Sequence, residues 1–237
     1  MKKVIQSREN PLYKNLVNIK NRKNEDNTFL AEGEDLVVEA GKENALLSVI
    51  TCDEKYECPY GVDTIVLKEN LFKSLCQFKS VPKIIGLCSK EYSENYGNRV
   101  IYLDHVQDPG NAGTMIRTAL AFNYSSLSLS KDSVSIYNSK LIQSSKGALF
   151  RMPISQKDLS FFSEKGYHIY LTALDGKDER QIENLKEPFV LAFGNEGKGI
   201  TPSNLELGEK LKIEMSGIDS LNVAVAAGIF MYRFRER

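Results

Sequence analysis

The chain has 237 residues, 42% of them hydrophobic and 26% charged, with 31 basic and 31 acidic side chains. That length suits one large domain or two modest ones, and the composition is that of an ordinary soluble globular protein. The charge balance excludes a strongly cationic nucleic-acid binder, no apolar run reaches the roughly 18 residues of a membrane span, and the N-terminus turns polar too early for a secretory leader.

Residues 1–24 hold seven basic side chains (Lys2, Lys3, Arg8, Lys14, Lys20, Arg22, Lys23) against the single acid Glu9, and the chain closes on RFRER at 233–237. Such ends either contact phosphates or are solvated helix faces. Asn10-Pro11 followed by apolar Leu12, Leu16 and Ile19 predicts a helix. A strand is expected from Thr28, then a helix from Glu34 with Gly41 as its stop. Strands follow at 46–51, 63–67 and 83–88, with a helix at 71–76. The alternation suggests a small α/β unit of two or three layers. Cys52, Cys58, Cys76 and Cys88 lack CxxC spacing, and His105 and His168 are the only histidines. Reduced thiols in a cytoplasm are therefore expected, with no metal site and no disulfide framework.

Residues 90–98 contain no aliphatic side chain and read as a linker. Beyond them the runs at 99–104, 168–174 and 189–194 are continuously apolar, the pattern of parallel strands buried on both faces. SSLSLS at 125–130 reads as a further strand, and helical patterns lie at 112–122, 138–147, 157–165 and 220–234. This is a doubly wound α/β domain, whose ligands bind beyond the carboxyl ends of the strands. The informative loops are those after 104, 172 and 193.

The first is DPGNAGTMIRTA at 108–119, a turn that carries an amide and then an arginine about one and a half turns into a helix. The second, GNEGKGI at 194–200, matches neither GxxxxGK[ST] nor GxGxxG. Its glycines suit close backbone approach to a flat ligand, or a merely flexible turn. In the third, IEMSGIDSLNVAVAAGIFMY at 213–232, Asp219 or Ser220 is expected to cap a helix beginning near Leu221. Asn222 then falls in the first turn, where a helix former would be expected. Ala224, Ala226, Ala227 and Gly228 make that helix thin, so that a second subunit or a crossing chain packs against it.

Together NAGTMIRTA (111–119), FGNEGKG (193–199) and IEMSGIDSLNVAVAA (213–227), with SKGALFRMPI (145–154) between the first two, resemble the SpoU (TrmH-like) branch of the SPOUT RNA 2′-O-ribose methyltransferases. The resemblance covers roughly 99–235. FLAEGEDLVVEA at 29–40 looks like the L30e-like RNA-binding domain that many members carry. The resemblance implies an α/β chain with an L30e-like domain at 1–92 and, after the linker, a SPOUT domain at 99–237. That domain has a parallel sheet and a deep trefoil knot, an exception to the rule against threaded chains. It implies a cytoplasmic homodimer joined through the knotted domain, acting on rRNA or tRNA and not on DNA or a membrane. Methyl groups come from S-adenosylmethionine, without a metal.

Carried over, Asn111, Arg117, Glu196, Ser220 and Asn222 match the family's catalytic residues. Backbone around Gly194, Ile213 and Leu221 would hold the adenosine, with Thr172, Ala173 and Asn222 lining the same pocket. The family proposal makes the arginine a general base. A guanidinium stays protonated, so Arg117 is expected to hold a phosphate and stabilise charge on the 2′-oxygen. Glu196 is expected to organise the glycine loop and Arg117, and His105 to be structural. Glu214 stands where the family usually has proline. Two other readings remain, a base-methylating SPOUT enzyme and a catalytically silent RNA-binding or ribosome-assembly protein. The full polar set argues against the second, and the NxGxxxRTA pattern against the first.

Overall fold

A computed structural model of the chain describes residues 1–23 and 27–236. Its contacts divide the chain into two compact units, Met1–Glu91 and Tyr92–Arg237.

In the first unit β1 (Lys2–Ile5), α1 (Pro11–Lys20), β2 (Thr28–Glu32), α2 (Glu34–Lys42), β3 (Leu46–Thr51), β4 (Asp63–Leu67), α3 (Glu69–Leu75) and β5 (Ile84–Ser89) follow in order. They form a mixed sheet of order β1-β4-β3-β5-β2. The Asn10 side chain accepts from the Leu12 N–H at 2.9 Å, and Pro11 opens α1 with a φ suited to a first turn. Tyr13, Leu16 and Ile19 then turn inward on Leu30, Ile50 and Phe72. β1 was not legible in the sequence, because this four-residue edge strand exposes Lys2, Lys3 and Val4. Gly41 is not the stop of α2, which runs through it to Lys42. A Cβ at Gly41 would lie 2.5–2.8 Å from the Tyr60 ring, so close packing requires the glycine. The turn beyond closes at Asn44, with φ 56. Much of the basic N-terminus is already partnered. Lys3 pairs with Asp63 at 3.1 Å and Lys14 with Glu9 at 2.5 Å, while Lys20 donates to the Ser74 and Cys76 carbonyls. At the other end, Arg237 lies outside the described residues.

The second unit runs β6 (Arg99–Leu103), α4 (Pro109–Ala121), β7 (Ser126–Leu129), α5 (Ser139–Ser145), α6 (Ala148–Arg151), β8 (Ile154–Gln156), α7 (Leu159–Glu164), β9 (His168–Asp178), β10 (Phe189–Phe193), α8 (Pro202–Leu205), β11 (Glu209–Lys212) and α9 (Val223–Arg233). All six strands are parallel, in the order β11-β9-β10-β6-β7-β8. β6 and β10 are buried along their whole length, as their apolar runs predict. From β6 the sheet grows one way through β7 and β8 and the other way through β10 and β9. The switch point therefore lies where Leu103 and Phe193 end side by side. Short β8 and β11 escaped the sequence reading; β11 is EKLK, with Leu211 its one buried residue.

The stretch before β6 is not a free linker from residue 92 onward. Tyr96 packs edge-on against Phe161 and Phe162, and the Tyr167 hydroxyl donates to the Gly97 carbonyl at 2.6 Å. Aromatic packing replaces the aliphatic packing whose absence suggested a linker.

Two irregularities shape the switch point. β9 pairs with β11 through Leu171↔Lys210 and then Lys177↔Leu211, so residues 172–176 bulge out of the ladder. Bulges beside active sites re-aim side chains. And α4 crosses α5 at Gly113, where a Cβ would meet Ser144 Oγ and stand 2.6 Å from the Leu141 carbonyl oxygen. Among the described residues no helix is long and apolar enough to cross a membrane, and no group of three His, Cys, Asp or Glu side chains is placed to hold a metal.

Gly113→Ala tests the crossing. Helix propensity favours alanine by about 1 kcal/mol, whereas forcing α5 away costs about 1–3 kcal/mol beyond that gain. A net loss of stability in urea unfolding is expected; a gain would show that the helices are not in contact there.

Candidate active site

The chain leaves β6 through Asp104 and His105. His105 takes φ 55, donates its N–H to Ser130 Oγ at 2.9 Å and places its ring 3.2 Å from Asp132 Oδ2. Its carbonyl accepts from Asn195 Nδ2 at 2.9 Å. This histidine shapes a turn, and its ring lies beside Asp132. Asp108 then caps α4 by accepting the Asn111 N–H at 2.8 Å, with Pro109 in the first helical position. That N–H, with Lys140 at 3.4 Å, holds the Asp108 carboxyl below the usual carboxylate range. The helix starts earlier than its apolar pattern suggested, because cap, proline and glycine form its first turn. Asn111 thus stands in the first turn of α4. Arg117 lies a little over two turns in, at about 3.6 residues per turn, and not one and a half.

The glycine loop after β10 is pinned and not flexible. Asn195 and Gly199 exchange backbone hydrogen bonds of 2.9 Å each way, and Asn195 Oδ1 accepts from the Gly197 and Lys198 N–H groups. Gly199 has φ 70, and a Cβ on Gly194 would collide with the backbone of Gly199 and Ile200. Two of its three glycines therefore serve the loop's own return, where close approach to a ligand was expected. A Cβ would meet open space at Gly199 and only Asn195 Oδ1, at 3.7 Å, at Gly197.

In the third segment the cap of α9 is Asn222, in place of the expected Asp219 or Ser220. Its Oδ1 accepts from Ala224 N–H at 2.9 Å and Val225 N–H at 3.3 Å. The helix starts two residues later than predicted, and its best capping side chain had been placed inside it. Asn222 Nδ2 donates to Asn111 Oδ1 at 3.1 Å, and Asn111 Nδ2 donates to Glu196 Oε1 at 3.0 Å. One hydrogen-bonded chain thus joins the three loops. Its direction is fixed at both ends, since a carboxylate only accepts and the capping oxygen faces backbone N–H groups. Glu196 organises Asn111, not Arg117 as expected. Arg117 is exposed on α4, and its side chain makes no hydrogen bond or ion pair among the described residues.

Beside this chain lies a cavity of about 580 Å³. Thr172 and Ala173 from the bulge, Gly194 and Glu196 from the glycine loop, and Ile213, Ser220 and Leu221 from the third segment all line it. Asn111, Arg117 and Asn222 do not. Thr172 is held by its hydroxyl, which donates to the Ala192 carbonyl at 3.0 Å. The sequence reading missed the apolar wall of Ile200, Leu205 and Phe230 and the charged rim of Lys210, paired with Asp175 at 2.7 Å. The one signal for the rim was Gly176, where a Cβ would press on the backbone of β11. Glu214 is exposed and pairs with Lys212 at 2.8 Å, so the charge that replaces a proline has a local partner. Volume and a largely apolar lining with a few polar groups fit a nucleoside-sized ligand.

Residues 98–232 match the profile of the SpoU rRNA Methylase family. The 23S rRNA (guanosine(2553)-2′-O)-methyltransferase RlmP of Bacillus subtilis (strain 168) is 33% identical over 227 residues, which span 91% of this chain and 92% of that protein. The 23S rRNA (adenosine(1067)-2′-O)-methyltransferase of Streptomyces laurentii is 28% identical over 75% of this chain and 71% of its own length. The crystal structure of AdoMet-bound rRNA methyltransferase from Sinorhizobium meliloti superposes with a TM-score of 0.86 at 25% identity, over 98% of this chain and 97% of that one.

The cap at Asp108 carries a test. Asp108→Ala should cost about 1 kcal/mol at neutral pH. Because the folded-state pKa lies below the unfolded value of about 3.9, the ionised group's contribution is complete above that value and is lost as pH falls through the folded pKa. The stability difference between wild type and Asp108→Asn, measured by urea unfolding, should be flat above about pH 5 and shrink below about pH 4. A difference constant through that range would contradict the assigned role.

Proposed function

Because the chain belongs to the SpoU rRNA methylase family, we propose that it methylates a ribose 2′-hydroxyl of rRNA with S-adenosylmethionine. The observation that carries this reading is the cavity at the sheet's switch point, edged by the chain Asn222–Asn111–Glu196. The backbone at Gly194, Ile213 and Leu221 holds the adenosine, and Thr172 and Ala173 close the slot from the bulge. When bound, the cofactor supplies a sulfonium methyl, which passes to the 2′-oxygen while the carbon–sulfur electron pair leaves on sulfur.

The protein's task is alignment and charge, and alignment alone supplies several kcal/mol. Asn111 and Asn222, each with its amide direction fixed, present a rigid polar edge, and Ser220 adds a hydroxyl beside it. Arg117 acts as a cation. Its guanidinium stays protonated, holds the phosphodiester and stabilises charge growing on the 2′-oxygen. The proton of the 2′-hydroxyl leaves to solvent or to the Glu196 carboxylate.

The N-terminal unit, in this reading, is an L30e-like RNA-binding domain. Several of its lysines already have intramolecular partners, so phosphate contacts are few and the salt dependence of RNA binding is shallow. The strap between β9 and β10 supports a trefoil knot closed around α9. Arg233 Nε lies 3.2 Å from Glu179 Oε2, and its Nη2 donates to the Ile182 carbonyl at 2.5 Å. Val225, Ile229 and Tyr232 form an exposed apolar stripe on α9, and a Cβ on Gly228 would meet nothing. This is the face we assign to a homodimer, acting in the cytoplasm where its RNA is made.

The test uses labelled S-adenosylmethionine, cellular RNA separated by class, and digestion to nucleosides. Label should appear in a 2′-O-methyl nucleoside from rRNA. Arg117→Ala and Arg117→Lys should each lower the rate by about 100-fold or more, as loss of a charge-stabilising group does, while cofactor binding persists. Label on a base would move the assignment to base methylation. A wild type that binds no cofactor would leave an RNA-binding protein without chemistry. Light scattering on the same samples should report a dimer.

A further inference from the structure

The glycine loop is gripped at a second place, away from the amide chain. The Asp104 side chain, where β6 ends, is 1% exposed. Its Oδ2 accepts both the Thr201 N–H, at 2.7 Å, and the Thr201 hydroxyl, at 3.0 Å. Its Oδ1 has no hydrogen-bond partner among the described residues. Asp104 also donates its own N–H to the Phe193 carbonyl at 2.8 Å, directly before the loop begins. The neighbouring His105 carbonyl binds Asn195 near the loop's start. Two consecutive residues of β6's end therefore clamp the loop at both of its feet.

The clamp has features that fold stability alone does not account for. Thr201 precedes α8, where a threonine hydroxyl ordinarily caps the helix. Here it makes no cap bond and turns to Asp104 instead. A buried carboxylate with one oxygen unsatisfied is also costly compared with a neutral side chain in the same place. What the clamp does fix is the cavity wall. Ile200, directly before Thr201, and Leu205, one helical turn after it, both line the cavity. The Thr201 carbonyl further accepts from the Leu205 N–H at 3.1 Å.

We infer that Asp104 is a positioning residue for S-adenosylmethionine. Through Thr201 it holds the wall carrying Ile200 and Leu205, and thereby sets cofactor affinity without touching the reacting atoms. The inference rests on the cavity being the cofactor site. Its reach is selective, because the residues assigned to RNA, Arg117, Asn111 and Asn222, do not line the cavity.

Thr201→Val, Thr201→Ser and Asp104→Asn test this in the full-length protein, with S-adenosylmethionine titrated calorimetrically and thermal unfolding run in parallel. Thr201→Val removes only the hydroxyl contact. It should raise the cofactor Kd about tenfold, as loss of a hydrogen bond to a charged group does, at unchanged stoichiometry. In methyl transfer the KM for cofactor should rise similarly, while kcat at saturating cofactor and the KM for RNA stay within about twofold of wild type, since uniform binding is what is lost. Thr201→Ser keeps the hydroxyl and should restore the Kd, and Asp104→Asn should weaken binding at least as much as Thr201→Val. The inference is overturned if Thr201→Val and Asp104→Asn bind like wild type, if Thr201→Ser is as weak as Thr201→Val, or if the variants lose folded protein while the remaining fraction binds with unchanged Kd. A wild type that binds no cofactor would instead remove the functional reading on which the inference stands.

Discussion

Three loops meet at the switch point of the parallel sheet, and the hydrogen bonds from Asn222 to Asn111 to Glu196 make them one object. Every link runs donor to acceptor in a single direction. Glu196 can only accept, which turns the Asn111 NH₂ toward it. That leaves Asn111 Oδ1 for the Asn222 NH₂, and Asn222 Oδ1 for the first N–H groups of α9. Flipping the Asn111 amide would break two contacts and flipping the Asn222 amide three. The cap of one helix, the first turn of another and the tip of the glycine loop thus share a single conformational choice.

The rest of the fold delivers these loops to one place. Continuously apolar β6 and β10 lie side by side because both faces of a parallel sheet are covered. Their carboxyl ends therefore coincide. The bulge at 172–176 carries a third segment over the same point, and Gly194 lets the loop after β10 fold back on itself. Asp104 and His105 then tie that loop down from below. Rigid placement of this kind is what a displacement reaction requires of a protein that contributes no nucleophile of its own.

The buried strands and most helices were legible because their patterns are long and unmixed. The elements that stayed hidden are short or edge-like. β1 and β11 carry lysines in a sheet, and β8 has three residues. Helix starts were displaced for a common reason. At α4 and α9 the cap is a polar residue of the functional motif. Apolar periodicity finds α4 only after its Pro109–Asn111 turn. At α9 several neighbouring polar residues could cap, and the true one, Asn222, was counted inside the helix. The three loops that carry the motifs do converge, yet Glu196, expected from its sequence context to organise Arg117, accepts from Asn111 instead. Which amide faces which carboxylate depends on side-chain directions between segments 85 and 111 residues apart, and no local spacing encodes that. Gly41 and Gly194 carry the same lesson, since each answers to a distant or returning neighbour that a turn rule does not see.

The central claim is that the three loops act as a unit, and a double-mutant cycle measures it most directly. Methyl-transfer kcat/KM would be determined for wild type, Asn111→Ala, Asn222→Ala and the double variant, with folding checked for each. Residues acting as one device are strongly non-additive. The account predicts that the double variant is about as slow as the slower single variant. Two independent losses that multiply in the double variant would show that the amide chain is a bystander, and that each asparagine serves its own loop alone.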